Sequence, residues 1–175
     1  VEVPADQQNQ VTMNVTVITL SDGRAEVQQP LTASEAAAFA EGLPYGTVLL
    51  FEPEAKPRAA VVVCPGGGFN KVNTEHEGIA FAEWFAAHDV ATAVVKYRLP
   101  EGDPALPQQD VARAVELVGE RFDGVKTGVL GASIGGYLAA EAALAEPAAR
   151  RPAFQLLFYP VVSMEAVSYT HLTLP

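Results

Sequence analysis

Gly131-Ala132-Ser133-Ile134-Gly135-Gly136 is the stretch on which the reading of this chain turns. It follows Lys126-Thr127-Gly128-Val129-Leu130, a short run ending in apolar residues, and precedes a helix-forming segment from Tyr137 to Glu146. Ser133 therefore falls where a strand turns sharply into a helix, the setting of a nucleophile elbow. The glycines have a steric reason. Chain segments pass close to so tight a turn, and a side chain at 131 or 135 would collide with its neighbour. G-x-S-x-G alone is a weak signal, because small residues are common in turns. A strand before it, a helix after it and a second glycine-rich loop upstream make it a strong one.

That upstream loop ends a strand. Ala59 to Cys64 is continuously apolar and rich in β-branched residues, which reads as a fully buried strand, and it runs into Pro65-Gly66-Gly67-Gly68-Phe69-Asn70. Gly78 to His88 reads as a largely buried helix with Ile79, Ala82 and Phe85 on one side, and Trp84 and Phe85 are expected in the core. Val90 to Tyr97 is the next buried strand; Lys96-Tyr97-Arg98 reads equally as substrate-facing or as the polar exit of that strand. Asp110 to Phe122 is the clearest amphipathic helix, with Val111, Ala114, Val115 and Val118 at helical spacing and Asp110 as its N-terminal cap. Beyond the elbow helix, Phe154 to Tyr159 reads as another buried strand. Nearer the N-terminus, Asn14 to Leu20 and Arg24 to Val27 form a hairpin about Ser21-Asp22-Gly23, Ser34 caps a short helix ending at Glu41, and Thr47 to Phe51 is a third strand. From residue 59 on, strands and helices alternate, which specifies an α/β fold with a mostly parallel sheet covered on both faces. The 14–51 region adds antiparallel edge strands to it.

Composition agrees with one such domain. The chain has 175 residues, 49% hydrophobic and 18% charged, enough for a sizeable core and too apolar for disorder. A formal net charge of -10 argues against nucleic acid or an anionic membrane as partner. Cys64 is the single cysteine, so no intrachain disulfide forms, and it reads as a small buried strand residue. No apolar run reaches the roughly 18 residues of a membrane span. No signal peptide is visible, yet the sequence opens at Val1 and not methionine, so cytoplasmic and secreted locations both stay open.

The chemistry follows from the two loops. A serine hydroxyl is a poor nucleophile until a base accepts its proton. Three glycines at a strand end let backbone N–H groups approach a small volume unobstructed, so Gly67 and Gly68 together with the N–H of Ile134 form a candidate oxyanion hole. A phosphate cradle is disfavoured, because no Gly-Lys-Ser/Thr follows the triplet. The three histidines lack metal-ligand spacing: His76 reads as exposed or capping, and His88 as a helix-end residue. Neither a metal nor an organic cofactor is called for.

With both loops in place, the chain resembles the α/β-hydrolase superfamily, in particular its esterase/lipase-like branch that includes acetyl-xylan and feruloyl esterases. Cys64-Pro65-Gly66-Gly67-Gly68-Phe69 is similar to its oxyanion loop and Glu75-His76-Glu77-Gly78 to its post-loop motif. Val94-Val95-Lys96-Tyr97-Arg98-Leu99-Pro100 resembles its next strand. Asp110, Arg113 and Ala114 resemble its helix, Gly131 to Gly136 its elbow, and Tyr159-Pro160-Val161-Val162-Ser163-Met164 the strand after it, so the likeness covers roughly residues 47 to 164. Ile134 stands where alanine is usual, which implies a narrower acyl pocket, and Tyr137 where histidine is frequent. The resemblance implies a three-layer sandwich and a serine esterase acting on a small ester, with an acylated saccharide as one candidate. A related serine peptidase and a non-catalytic, hydrolase-like binding protein are the alternatives.

The chain order of this fold is nucleophile, acid, histidine. After Ser133 the acidic residues are Glu141, Glu146 and Glu165, none placed to serve, and His171 comes too early in the fold to be the base. The acid and base are therefore expected to be absent from this chain. Val167 to Pro175 reads as a translated sequencing-adaptor tail. On that reading residues 1–166 are a partial hydrolase domain, incomplete on its C-terminal side and inactive as a fragment, and 167–175 are non-native.

Overall fold

The computed structural model describes residues 11–164. Its sheet is built from β1 (Asn14–Thr19), β2 (Ala25–Val27), β3 (Thr47–Glu52), β4 (Ala59–Cys64), β5 (Val90–Lys96), β6 (Thr127–Ala132) and β7 (Gln155–Phe158). The spatial order is β2-β1-β3-β5-β4-β6-β7. The first three strands pair antiparallel, β3 also runs antiparallel to β5, and β5, β4, β6 and β7 are mutually parallel. The hairpin about Ser21-Asp22-Gly23 and the parallel core after residue 59 thus form as their patterns predict. The described residues include no helix long and apolar enough to cross a membrane.

Strand alternation sends side chains to two cores. Ala60, Val62 and Cys64 of β4 pack with Ala93 and Val95 of β5 beneath α3 (Ala105–Arg121) and α4 (Ile134–Ala143). Val61 and Val63 face the other way, with Val94 and Leu130, beneath α1 (Ala33–Glu41) and α2 (Ala80–Ala86). Burial on both faces is why β4 reads as an unbroken apolar run. β4 is also where the chain reverses direction across the sheet: it is followed by β5 on one side, while β6 lies on the other. The helix after β4 covers one face and the helix after β6 the opposite face, so the loops leaving these two neighbours diverge. That opens a crevice at their carboxyl ends, the place where parallel α/β sheets bind ligands.

Several local expectations are corrected. α1 is capped by Thr32 and not by Ser34: Thr32 Oγ1 accepts from the Glu35 N–H at 3.2 Å, and Glu35 Oε2 accepts from the Thr32 N–H at 2.8 Å, a reciprocal box. α3 starts five residues before Asp110, which is therefore no cap. Asp110 is buried in the helix interior and accepts the Arg98 N–H at 2.7 Å and the Arg98 guanidinium at 2.8 Å. Trp84 is 60% exposed and stacks on His88, so only its neighbour Phe85 contributes to the core. β7 is apolar but lies at the edge of the described sheet, with Leu156, Leu157 and Phe158 each about two-fifths exposed.

The other end of α1 is closed by a strand residue. Lys96 is buried, and its Nζ donates to the carbonyls of Ala40, Glu41 and Leu43 at 2.8, 3.2 and 2.6 Å. The three ammonium donors meet carbonyls of the last turn of α1 and of the residue just past its cap, where the helix dipole also favours a cation. Burial pulls the Lys96 pKa below its ordinary value, and Glu41 partly offsets this. Lys96→Met keeps the stem and removes the donors. It is expected to lower the unfolding free energy by about 3 kcal/mol, as read by urea denaturation, and a change within error would show that the cap contributes nothing.

Candidate active site

The elbow is tight for a reason written in its glycines. Ser133 has φ 55° and ψ -122°, a backbone conformation that residues with a side chain rarely adopt. A Cβ at Gly131 would lie 2.1 Å from the Gly135 carbonyl oxygen, and one at Gly135 would lie 1.9 Å from the Cys64 carbonyl oxygen. The first turn of α4 is thus pressed directly onto the end of β4. The end of β7 and the segment after it strap the turn from the other side: the Ser133 N–H donates to Phe158 O at 3.0 Å, and the Val161 N–H donates to Ser133 O at 3.0 Å. Gly136 leaves room for Pro160 of this strap, whose Cβ would lie 2.7 Å from an added Cβ. Ile134 opens α4, so its N–H has no carbonyl within the helix to bond. Its side chain is buried.

The glycine loop stands beside the elbow. The vacant Cβ position of Gly66 is 3.0 Å from Ser133 Cβ. Three successive peptide planes of the loop are held differently. The Pro65–Gly66 plane is gripped at both ends, its carbonyl accepting from the buried Tyr97 hydroxyl at 2.5 Å and its N–H donating to Glu77 Oε2 at 2.9 Å. The next plane is held by its carbonyl, because Gly66 O accepts from the Asn73 N–H at 2.9 Å. The third is held likewise, Gly67 O accepting from the Asn70 and Lys71 N–H groups at 3.1 and 3.4 Å. The C=O and N–H of a trans peptide point in opposite directions. Gripping the two carbonyls therefore aims the N–H groups of Gly67 and Gly68 away from the loop's own turn, and among the described residues neither has a partner.

Burial raises the Tyr97 hydroxyl pKa, with smaller contributions from Cys64, Glu77 and Tyr45, so Tyr97 remains a neutral donor to Pro65. Burial also pushes the Cys64 thiol up to about 12, which keeps it an inert strand residue as its composition suggests. Lys96, Tyr97 and Arg98 are all committed internally: to α1, to Pro65 and to Asp110. The substrate-facing reading of that triplet is set aside. His76 is exposed, and His88 Nδ1 lies 2.8 Å from Trp84 O of its own helix. Among the described residues no side chain is hydrogen-bonded to Ser133 Oγ. Glu141 lies on α4, and Glu146 pairs with Arg151; Glu165, His171 and the 167–175 tail lie outside the described residues. A surface groove between α3 and residues 145–153 opens beside Lys126 and Thr127 at the far end of β6 and is remote from this chemistry.

Residue reasoning missed the holders of the loop: Asn73, Glu77, Tyr97 and Tyr159. Glu77 and Tyr159 sit in stretches singled out by resemblance, but a residue that acts by gripping a peptide plane has no composition signal of its own.

Sheet order, crevice and elbow together define the class. A profile of the α/β-hydrolase fold matches residues 61–173, and the chain belongs to that family. It is 35% identical over 123 residues to an acetylxylan esterase of Xylanibacter ruminicola, a match covering 67% of this chain and 26% of that protein. The chain thus spans about a quarter of that relative's length. Among solved structures it is similar to an acetyl ester-xyloside bifunctional hydrolase from Caldicellulosiruptor lactoaceticus, with TM-score 0.60, 25% identity, and 70% of this chain and 52% of that chain covered. It is also similar to a Pyrobaculum calidifontis esterase, with TM-score 0.58, 30% identity, and 66% and 41% covered.

The loop geometry separates two neighbouring glycines. A Cβ at Gly67, where φ is 137°, would lie 2.1 Å from Lys71 O, whereas at Gly68, φ 63°, the nearest atom is Asn70 Nδ2 at 3.9 Å. Gly68→Ala meets only backbone strain, about 1 kcal/mol, while Gly67→Ala must also rebuild the turn and is expected to cost about 3 kcal/mol. Thermal melts of the two variants side by side check this, and equal losses would refute the loop geometry.

Proposed function

We propose that the protein is a serine carboxyl-ester hydrolase. Ser133 Oγ attacks the ester carbonyl carbon, and the N–H groups of Gly67, Gly68 and Ile134 receive the negative charge that develops on its oxygen. Collapse of the tetrahedral intermediate expels the alcohol, which takes the proton a histidine had accepted from Ser133. Water then hydrolyses the acyl-enzyme, and acid is released. That histidine and its orienting acid are proposed to lie in the full-length protein outside these 175 residues. In these 175 residues alone Ser133 is expected to be close to inert.

The single observation that carries this reading is the contact between two strand ends. A serine in the strained elbow conformation stands beside a glycine loop whose N–H groups, without a partner among the described residues, are aimed outward by gripped carbonyls. A short acyl group on a saccharide is the substrate class proposed, supported by the 35% identity to a protein named acetylxylan esterase.

The test uses the full gene product with 4-nitrophenyl acetate, acetylated xylan and a dipeptide amide as substrates. Hydrolysis of the two esters well ahead of the amide is expected, with Ser133→Ala lower by about 10³-fold or more. Undiminished ester hydrolysis by Ser133→Ala, or a preference for the amide, would reject it.

A further inference from the structure

We propose that Glu77 is the positioning residue of the oxyanion loop. The inference rests on the serine-hydrolase reading above and adds to it a side chain that neither attacks the substrate nor moves a proton. Both carboxylate oxygens are in use: Oε2 accepts from the Gly66 N–H at 2.9 Å, and Oε1 accepts from the Tyr159 hydroxyl at 3.0 Å. These partners lie in the two loops that flank the nucleophile. Gly66 abuts Ser133 Cβ, and Tyr159 stands between Phe158 and Val161, whose backbone groups bond the N–H and C=O of Ser133 itself. One carboxylate therefore joins both walls of the site.

The local structure is arranged to bring it there. Glu77 belongs to a widened, irregular helical turn, Glu75–Ile79, and alone within it departs from helical dihedrals, at φ -109° and ψ 15°. Such widened turns are frequent at functional sites. Two glycines make the approach possible. A Cβ at Gly66 would sit 2.6 Å from Glu77 Oε2, and one at Gly78 would sit 2.6 Å from Val94 Cγ1 and 3.3 Å from Pro65 Cγ. Gly78 lets the turn close on β5 and the loop, and Gly66 lets the carboxylate in.

The consequence runs along the peptide planes. Tyr97 holds the carbonyl of the Pro65–Gly66 plane and Glu77 holds its N–H, so this plane cannot rotate, and it is the one that precedes the outward-aimed donors of Gly67 and Gly68. Releasing one end lets the following donors drift from the oxyanion position, and donors act only when already aimed at the developing charge. A negative charge beside Ser133 works against an oxyanion. Holding the loop must outweigh that repulsion, and an uncharged acceptor of the same shape would serve the same purpose.

The experiment compares Glu77→Ala, Glu77→Gln and Tyr159→Phe with the parent full-length protein, by ester kinetics and by amide hydrogen exchange across residues 65–72. Glu77→Ala is expected to lower kcat about 10- to 100-fold, less than the full loss of an oxyanion donor, with KM for 4-nitrophenyl acetate within about twofold. Exchange of the 65–72 amides rises in parallel. Glu77→Gln, whose amide oxygen still accepts from Gly66, restores kcat to within about threefold of the parent and restores protection of the loop. Tyr159 is 67% exposed, and its loss is expected to have the smaller effect. An unchanged kcat in Glu77→Ala, a loss confined to KM, or a Gln variant as impaired as the Ala variant would overturn the proposal. A parent that hydrolyses no ester would reject the function proposed above. Even then, a loop whose exchange ignores Glu77→Ala would reject the positioning role separately.

Discussion

The structure depends on a contact in which a side chain is missing. At Gly135, in the first turn of the elbow helix, the carbonyl oxygen of Cys64 occupies the space a Cβ would take, 1.9 Å from its ideal position. That approach sets the spacing between the end of β4 and the start of α4. It is what brings a serine on one strand and a glycine loop on the next into one site. A looser packing would separate nucleophile from oxyanion donors by the width of a side chain, and neither feature would then have chemical meaning.

Around this contact a short run of polar residues is used internally. The crevice-facing end of β5 carries three polar residues in a row, and each is anchored to something else: Lys96 to the last carbonyls of α1, Tyr97 to the loop after β4, Arg98 to a buried carboxylate in the middle of α3. Asp110 in turn raises the Arg98 pKa, chiefly through their hydrogen bonds, so the guanidinium remains charged. Three layers are thereby tied to one strand end. The apolar cores supply most of the driving force for folding, while these ties decide which loop stands next to which.

Much of the architecture was legible in the sequence, because it rests on patterns of several residues. The unbroken run Ala59–Cys64 could only be a strand covered on both faces, and Gly131–Gly136 between strand and helix announced the turn. What escaped was carried by single residues acting at a distance. Thr32 took the cap from Ser34 because Glu35, three residues on, completes a reciprocal pair with it. Asp110 resembled a cap until α3 proved to begin at Ala105, and Trp84 resembled core because hydrophobicity does not reveal which side of a short helix faces out. For the candidate site, the serine and glycines were visible, but the order β5-β4-β6 that opens the crevice comes from pairing between distant segments.

The strap after β7 has a practical consequence for anyone dividing this protein into parts. Both backbone groups of Ser133 are bonded to residues 158 and 161, and Gly136 is packed on Pro160. The peptide N–H of the nucleophile is thereby used up by its neighbour strand, which leaves the oxyanion to be served by other residues. A cut or fusion junction placed between β6 and β7 would preserve every residue of the G-x-S-x-G signature and still release the turn it describes. The smallest portable unit of this elbow is therefore a pair of adjacent strands with the segment that follows the second, extending at least through Val161.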